Sequence, residues 1–541
     1  MKGMMQDWPL TVDKILDHAK AINPNREIIT RRVEGNIVST TYAQVHDRAK
    51  QVSNALVDEG LALGDRVATL GWNSARHMES WYGAMGVGMV LHTVNPRLHP
   101  DQIAWIINDA EDKVLIFDKT FQPIVESIKD KIPTVKTFVI FADQDTMPEN
   151  SVGAVAFDMW IDGRSTECRW GDFPEDTACG LCYTSGTTGN PKGVLYSHRS
   201  NVLHTLVTMN KDAMGMGAAD VVMPVVPMFH ANAWGLALSC PATGAKMVMP
   251  GAQMDGASIY ELLDGQKVTI TAAVPTVWLM LLSYLQENDL KLPHLKKVII
   301  GGSAIPEAIL RAFEIDYEVD VIHAWGMTET SPLGTLGTLP PHLEDADIDT
   351  RMAQKLKQGR PPFGVELKVI DDDGNTIPRD GATSGRLLVR GAAIAGGYFK
   401  SAGGNVLDEN GFFDTGDVAH MDEYGTMQIT DRAKDVIKSG GEWISSIDLE
   451  NIAVGHPKVA NAAAIGIYHP KWDERPLLIV QPAPGETPTK EDVLAQLEGK
   501  IAKWWTPDDV AFVDEIPLGA TGKINKLKLR EHFKDYKLPT A

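Results

Sequence analysis

The sequence predicts an α/β fold, with a large N-terminal domain of mainly parallel sheets and helices and a small α+β C-terminal domain. In residues 1–432, short apolar runs such as DRVATL, MVLHTV, KVLIFD and KKVIIGG alternate with helical patterns. Strands that alternate with helices indicate a parallel sheet with helices on its faces. The chain has 541 residues, which is too long for one ordinary domain.

One helix of the large domain can be read from the spacing of its apolar residues. The side chains that recur at intervals of three and four are Tyr42, Val45, Ala49, Val52 and Leu56. This spacing places them on one face of a helix. Thr41 and Gln44 form a capping box before the helix, and Gly60 supplies a stop after it.

The composition changes after DRAKDVIKSGG, and we predict a domain boundary there, with one domain in residues 1–432 and a second in 433–541. The runs VANAAAIGI, PLLIVQP and DDVAFVDEI predict strands, and SIDLENIAVG and KEDVLAQLEGKIAKW predict helices. The turn-rich PAPGETPT is typical of a loop inside this small domain.

The charge balance limits the classes of ligand. The 51 basic and 71 acidic residues give a net charge of -20, which argues against sequence-independent binding of nucleic acid or anionic lipid. An anionic ligand must therefore be held locally. The N-terminus lacks the apolar core of a signal peptide, and no apolar run approaches the ~20 residues of a membrane-spanning helix. We expect a soluble cytoplasmic protein.

Four cysteines are too few for a disulfide framework in a chain of this size. Cys179 and Cys182 form a C-x-x-C pair, but a zinc site would need further ligands. The pair lies in the apolar run ACGLCYT. We interpret these cysteines as part of a buried strand.

The segment YTSGTTGNPKG, residues 183–193, combines glycines, hydroxyl side chains and one lysine between two predicted strands. Glycine lets backbone N–H groups converge on an oxyanion, and hydroxyl groups add further donors. The segment therefore predicts a phosphate-binding loop, with a flexible surface loop as the alternative. It differs from a Walker A loop, because Lys192 lies between Pro191 and Gly193 and leads into a strand.

This loop resembles the phosphate loop of the adenylate-forming superfamily, which includes acyl-CoA synthetases, luciferases and peptide-synthetase adenylation domains. Further segments resemble the other motifs of that superfamily in the expected order, namely IIGGSAIP, HAWGMTET, GFFDTGD, DRAKDVIKSGGEWIS and GATGKINKLKLR. The resemblance spans essentially the whole chain. It is closest to medium- and long-chain fatty acyl-CoA synthetases and bacterial methylmercaptopropionate-CoA ligases.

The resemblance implies binding of ATP and Mg²⁺. It implies that Thr184 and Glu329 hold Mg²⁺, that Asp417 accepts the ribose hydroxyls, and that Arg432 lies beside it. The residues implied to surround the phosphates and the adenine are Ser185, Gly186, Thr187, Thr188, Gly189, Lys192, Gly302, Ser303, Ala304, Ala324, Trp325, Gly326, Met327 and Thr328. Trp325 stands where the family usually has tyrosine, so we expect adenine stacking without the phenol hydrogen bond.

The resemblance also implies a two-step reaction with CoA. Lys523 would bridge the acyl carboxylate and the α-phosphate in the first step, with Glu329 as a further catalytic residue. The small domain would then rotate about Lys434. That rotation would withdraw Lys523 and bring Gly440, Gly441, Glu442 and Trp443 to the site for attack by the CoA thiol.

The sequence indicates the carboxylic acid substrate less sharply than it indicates the nucleotide. In PMFHANAW, the resemblance places His230 near the carboxylate and makes Trp234 a gate of the acyl tunnel, with ordinary core packing as the alternative for Trp234. The segment offers no aspartate for an α-amine, which favours an unaminated acid, either a fatty acid or a short thioether acid such as 3-methylthiopropionate. A non-CoA acceptor and a non-catalytic nucleotide-binding relative remain alternatives, and a homodimer is expected by resemblance alone.

Overall fold

The structure is a computed structural model that describes residues 1, 3–184, 190–440, 442–519 and 523–541, with the backbone alone at positions 442 and 443. In the described part of the chain, the strands are β1 Glu27–Arg31, β2 Ile37–Thr41, β3 Arg66–Leu70, β4 Val90–Thr93, β5 Val114–Phe117, β6 Thr137–Ile140, β7 Val155–Ala156, β8 Ala178–Tyr183, β9 Gly193–Ser197, β10 Val221–Pro224, β11 Lys246–Met249, β12 Ile270–Ala273, β13 Lys297–Gly301, β14 Asp320–Gly326, β15 Leu333–Leu336, β16 Val365–Ile370, β17 Gly385–Gly391, β18 Phe413–Met421, β19 Met427–Arg432, β20 Ile437–Ser439, β21 Glu442–Ile444, β22 Val459–His469, β23 Asp473–Pro482 and β24 Asp509–Phe512.

The α-helices of the same residues are α1 Asp13–Ile22, α2 Tyr42–Asp58, α3 Ala75–Gly86, α4 Pro100–Ala110, α5 Gln122–Ile128, α6 Phe157–Ile161, α7 His198–Thr208, α8 Leu236–Thr243, α9 Gly256–Gly265, α10 Pro275–Glu287, α11 Glu307–Arg311, α12 Ile348–Leu356, α13 Ser446–Val454, α14 Lys490–Leu497 and α15 Lys526–His532. No helix among these has the length and apolar character needed to cross a bilayer.

Two mainly parallel sheets form most of the large domain, as predicted. One has the order β7-β6-β5-β3-β4-β8-β9 and the other the order β15-β14-β13-β12-β10-β11-β1-β2. Antiparallel pairing occurs at β8–β9, β14–β15 and β1–β2. The four apolar runs quoted above form β3, β4, β5 and β13, because a strand covered by helices on both faces can bury apolar residues continuously.

The predicted helix is confirmed as α2. Thr41 and Gln44 form both hydrogen bonds of the capping box. Gly60 follows the helix with φ of 82°, a left-handed conformation that glycine adopts without steric cost. The apolar stripe from Tyr42 to Leu56 is fully buried. The C-x-x-C pair is also confirmed as buried free thiols in β8.

Two further sheets, rich in antiparallel pairs, follow the parallel ones, the first within residues 1–432 and the second in the small domain. The sheet β16-β17-β18-β19 is antiparallel throughout, and a five-stranded sheet joins β20–β24. The predicted strands of the small domain are confirmed as β22, β23 and β24, and 483–489 is a loop between β23 and α14. The boundary between residues 432 and 433 stays a prediction.

One predicted helix is shorter than expected. KEDVLAQLEGKIAKW was predicted as one helix, but α14 ends at Leu497. Glu498 is extended, and Gly499 has φ of 76°. A left-handed glycine cannot continue a right-handed helix, so the chain turns there before the short turn Lys503–Trp505.

A buried amide joins the two parallel sheets. Asn73 follows β3 and is fully buried. Its Nδ2 donates to the carbonyl oxygens of Pro224 and Val226 at 2.7 and 2.9 Å, and its Oδ1 accepts from the backbone N–H of Met228 at 2.6 Å. These three bonds fix the chain that leaves β10 toward residue 230.

We predict that Asn73→Ala lowers the free energy of unfolding by about 3 kcal/mol, because it leaves buried backbone groups without partners. Guanidinium denaturation followed by tryptophan fluorescence measures this change. Asn410→Ala, in an exposed turn, is the control and should change stability by less than about 0.5 kcal/mol. Equal stability of the two variants would contradict the structural role of Asn73.

Candidate active site

The predicted phosphate loop connects two hydrogen-bonded strands. β8 and β9 pair antiparallel with Tyr183 opposite Gly193, and the backbone N–H of Thr184 donates to the carbonyl of Lys192 at 2.9 Å. These contacts hold the two ends of the loop together. Ser185, Gly186, Thr187, Thr188 and Gly189 lie outside the described residues. The ammonium of Lys192 lies over the Tyr398 ring, 4.9 Å from its centroid.

Glu329 lies in the short turn Thr328–Thr330, directly after β14, and is 6% exposed. Its Oε1 accepts from the hydroxyl of Tyr398 at 2.7 Å, and its backbone carbonyl accepts from the N–H of Ala395 at 2.8 Å. The hydroxyl of Tyr196 donates to the carbonyl of Thr328 at 2.8 Å. Together these bonds tie the turn to β9 and to the segment after β17.

Asp417 is held by an indole and a guanidinium. Asp417 and Arg432 are paired residues of β18 and β19, and Arg432 Nε lies 2.8 Å from Oδ1. Trp325 Nε1 donates to Oδ2 at 3.0 Å. Burial raises the pKa of Asp417, and Arg432, Trp325 and Lys523 oppose that rise. Trp325, which stands where the resemblance leads us to expect a tyrosine, therefore donates through its indole N–H to the predicted ribose carboxylate.

The other predicted nucleotide residues follow the carboxyl ends of two neighbouring strands. Gly302, Ser303 and Ala304 leave β13, and Gly302 has φ of 87°. Ala324 and Gly326 end β14, beside Met327 and Thr328. A Cβ on Gly326 would lie 1.6 Å from the carbonyl oxygen of Pro332, so this position requires glycine. Because β13 and β14 are parallel neighbours, both segments reach the same edge of the sheet.

The charge of Lys523, on the small domain, favours a lower pKa for Asp417 and His230, on the large domain. Desolvation and repulsion from Arg432 lower its pKa to about 8, and Asp417 opposes that shift. The side chain itself is exposed. The residues between Gly519 and Lys523 lie outside the described range, and the N–H of Gly519 donates to the carbonyl of Lys523 at 2.7 Å.

His230 lies within electrostatic reach of Lys523. Burial, together with the positive charges of Lys523 and Arg97, lowers the pKa of His230 to about 4. The imidazole is therefore neutral at pH 7. Sequence reasoning missed Arg97, an exposed residue whose guanidinium lies 6.0 Å from the ring of Phe229. Its only signal was a basic residue in the loop after β4.

An uncommon backbone conformation joins His230 to Trp234. Ala231, Asn232, Ala233 and Trp234 have φ of 43°, 59°, 51° and 55°, and Gly235 follows with 80°. A left-handed turn of residues with a Cβ costs roughly 1–2 kcal/mol per residue. Trp234 is 8% exposed. Gly301, at the end of β13, is so close that a Cβ there would lie 3.3 Å from the indole.

The predicted CoA-facing segment contacts its own domain. Gly440 has φ of 61°, and its N–H donates to the carbonyl of Trp472 at 2.8 Å. Gly441 lies outside the described residues, and Glu442 and Trp443 are described as backbone of β21. Lys434 is exposed in the turn between β19 and β20, and desolvation lowers its pKa. Lys523 thus lies within electrostatic reach of the predicted nucleotide residues Asp417 and Arg432, and Gly440 is bonded to Trp472.

Comparison with known proteins shows which family this chain resembles over its whole length. The AMP-binding enzyme family model matches residues 16–399, and the AMP-binding enzyme C-terminal domain model matches residues 448–523. The chain is 48% identical over 536 residues to 3-methylmercaptopropionyl-CoA ligase of Ruegeria lacuscaerulensis, covering 99% of each chain. It is 45% identical over 542 residues to medium-chain-fatty-acid--CoA ligase of Ectopseudomonas oleovorans, covering 100% of this chain and 99% of that protein.

The fold is also similar to a solved structure, that of the anthranilate CoA ligase AuaEII in complex with anthranoyl-AMP. The TM-score is 0.87 at 27% identity, with 98% of this chain and 99% of that chain covered. The resemblance to adenylate-forming enzymes and the predicted fold class are confirmed. From its sequence and its fold, the chain belongs to the AMP-binding enzyme family.

Proposed function

We propose that this protein is an AMP-forming acyl-CoA synthetase. It joins a carboxylic acid to the α-phosphate of ATP with release of pyrophosphate, and then transfers the acyl group to the thiol of CoA with release of AMP. The observation that carries the proposal is the position of Lys523, whose charge lies near enough to Asp417 and His230 to favour a lower pKa for both groups. The CoA ligases similar to this chain over their full length support it.

The ATP site is assigned to the edge where β8, β13 and β14 end. Asp417 would accept the ribose hydroxyls, because each carboxylate oxygen can accept more than one hydrogen bond. Arg432 would hold that carboxylate in place. The residues proposed to contact the phosphates and the adenine are Ser185, Gly186, Thr187, Thr188, Gly189, Lys192, Gly302, Ser303, Ala304, Ala324, Trp325, Gly326, Met327 and Thr328.

Glu329 and Thr184 have the donor chemistry that Mg²⁺ requires, namely a carboxylate and a hydroxyl oxygen. Oε1 of Glu329 accepts from Tyr398, so Oε2 is the oxygen proposed to face the ion. Within the described residues, no group of three or more His, Cys, Asp or Glu could hold a metal by itself. Phosphate and water oxygens would complete the coordination, and the bound ion would neutralise charge on the phosphates.

Lys523 would offset the repulsion between the two reacting anions. A carboxylate must approach the α-phosphate, and a cation placed between them stabilises the charge of the transition state. With a pKa of about 8, Lys523 is mostly protonated at pH 7. His230, neutral at that pH, would hydrogen-bond the substrate carboxylate without adding charge.

The second step is proposed to follow rotation of residues 433–541 against residues 1–432 about Lys434. The turn between β19 and β20 supports this hinge, because it joins the four-stranded sheet to the five-stranded sheet. Rotation would withdraw Lys523 and carry Gly440, Gly441, Glu442 and Trp443 to the acyl-adenylate. CoA would then reach the acyl carbonyl.

The acid is proposed to be a fatty acid or a short thioether acid of the 3-methylthiopropionate type. The names of the relatives support both classes, and the buried Trp234 would limit the depth of the acyl pocket. We further propose a cytoplasmic homodimer, by resemblance to related enzymes.

We predict that the protein, given MgATP, CoA and a panel of straight-chain acids from acetate upward plus 3-methylthiopropionate, forms AMP, pyrophosphate and an acyl-CoA. Mass spectrometry of the products measures this outcome, and the acid with the highest rate reports the size of the acyl pocket. ADP and phosphate as products would contradict adenylation. AMP without a thioester would contradict CoA as the acceptor.

We predict that Lys523→Ala lowers adenylate formation at least about 100-fold, because one charge-assisted contact in a transition state contributes about 3 kcal/mol. The same variant should convert a preformed acyl-adenylate to acyl-CoA at close to the normal rate. Pyrophosphate release and thioester formation are measured separately. Lys528→Ala, in the exposed face of α15, is the matched control. Equal loss of both steps in a folded Lys523 variant would refute the assignment.

We predict that kcat/KM for adenylation falls above pH about 8, by about tenfold per pH unit, because the free enzyme loses the charge on Lys523. On the acid side, protonation of His230 lowers activity as the pH approaches about 4. A pH profile of pyrophosphate release measures both limits. In Lys523→Arg the alkaline limb should disappear, since arginine stays charged. Its persistence would assign that limb to another group.

A further inference from the structure

A segment after β17 covers both Glu329 and Lys192. In this segment, residues 392–404, the backbone N–H of Ala395 donates to the carbonyl of Glu329 at 2.8 Å. The carbonyl of Ala393 accepts from the hydroxyl of Ser331 at 2.7 Å. Lys400 pairs with Glu111 at 2.8 Å, on the seven-stranded sheet side. The segment is therefore anchored on both sides of the proposed phosphate and metal site.

Tyr398, inside this segment, contacts the two charged residues at once. Its hydroxyl donates to Oε1 of Glu329 at 2.7 Å, and its ring faces the ammonium of Lys192 at 4.9 Å. Gly403 lies against the same ammonium, so that a Cβ there would be 3.0 Å from Nζ. The ring also packs edge-on against Phe413, with centroids 6.2 Å apart. The half-buried ring is thus held between the lysine and the carboxylate.

Lys192 and Glu329 do not form an ion pair with each other in the described part of the chain. An opposite charge near a largely buried carboxylate is strongly attracted to it, because few water molecules screen the interaction. A neutral aromatic side chain can satisfy both partners separately. Its face attracts a cation, and its hydroxyl donates to an anion.

We infer that Tyr398 is a positioning residue that keeps Lys192 and Glu329 apart, so that Lys192 stays available to phosphate and Glu329 to Mg²⁺. The inference rests on the proposed function, because it assigns those two ligands to Lys192 and Glu329. The hydroxyl fixes one oxygen of Glu329 and leaves the other for the ion. The ring fixes the lysine on the side of the phosphate loop.

Two substitutions separate the roles of the hydroxyl and the ring. Tyr398→Phe removes the donor to Glu329 and keeps the ring under Lys192. Tyr398→Leu removes both, which lets Lys192 pair with Glu329. A third variant, Tyr398→Leu with Glu329→Gln, removes the carboxylate that would capture the lysine. Tyr468→Phe, at a side chain that is 73% exposed, is the matched control.

The experiment is isothermal titration calorimetry of the full chain with α,β-methylene-ATP, which cannot be cleaved to AMP, with MgCl₂ or with EDTA. In Tyr398→Phe we expect the Kd with Mg²⁺ to rise about tenfold, while the Kd in EDTA stays within about twofold of the unmodified protein. In Tyr398→Leu both Kd values should rise. The added Glu329→Gln should restore binding in EDTA, because Lys192 is released.

Binding of Mg²⁺ and nucleotide by Tyr398→Phe at the unmodified affinity would overturn the inference. An equal loss of nucleotide affinity in Tyr398→Phe with and without Mg²⁺ would also overturn it, because it would indicate a general packing role. The inference would likewise be wrong if Glu329→Gln did not restore the nucleotide affinity of Tyr398→Leu in EDTA. Thermal unfolding of each variant shows whether the fold is intact. These measurements involve no acid and no CoA, so they can refute the role of Tyr398 while product analysis still supports the proposed function. Equally, product analysis can refute the proposed function while the binding measurements support the role of Tyr398.

Discussion

The candidate active site holds several charged groups close together, and the rest of the structure determines which of them are paired and which stay unpaired. Asp417 and Arg432 are paired directly. Lys523 has no carboxylate at ion-pair distance among the described residues, and its lowered pKa reflects the cost of keeping it there. In a chain with a net charge of -20, these local cations would provide the attraction for the anionic nucleotide of the proposed reaction.

Backbone geometry fixes the segment that is proposed to contact the acid substrate. Four residues with side chains adopt left-handed conformations between His230 and Gly235, and such a turn persists because the surrounding structure determines it. The buried amide of Asn73 holds the segment just before that turn. The arrangement is typical of functional sites, where a costly local conformation is retained because it places particular side chains.

Much of the fold and several parts of the site could be predicted from local patterns. The capping box of α2, the strand β8, the loop that follows it and the order of the motifs depend on neighbouring residues, so they are visible in the sequence. The contact between Tyr398 and Glu329, 69 residues apart, leaves no local signal. The end of α14 at Leu497 was missed because a glycine within a helical pattern can either be tolerated or stop the helix.

By itself, the sequence determined the fold class and the family and predicted a set of residues around the nucleotide, because periodicity, glycine positions and motif order act over short distances along the chain. Only the tertiary structure decided which of these residues meet. It placed the indole of Trp325 on Asp417, set Lys523 within electrostatic reach of His230, and put Tyr398 between Lys192 and Glu329. Such contacts arise from the packing of separate sheets and domains, in which distances through space bear no fixed relation to distances along the chain.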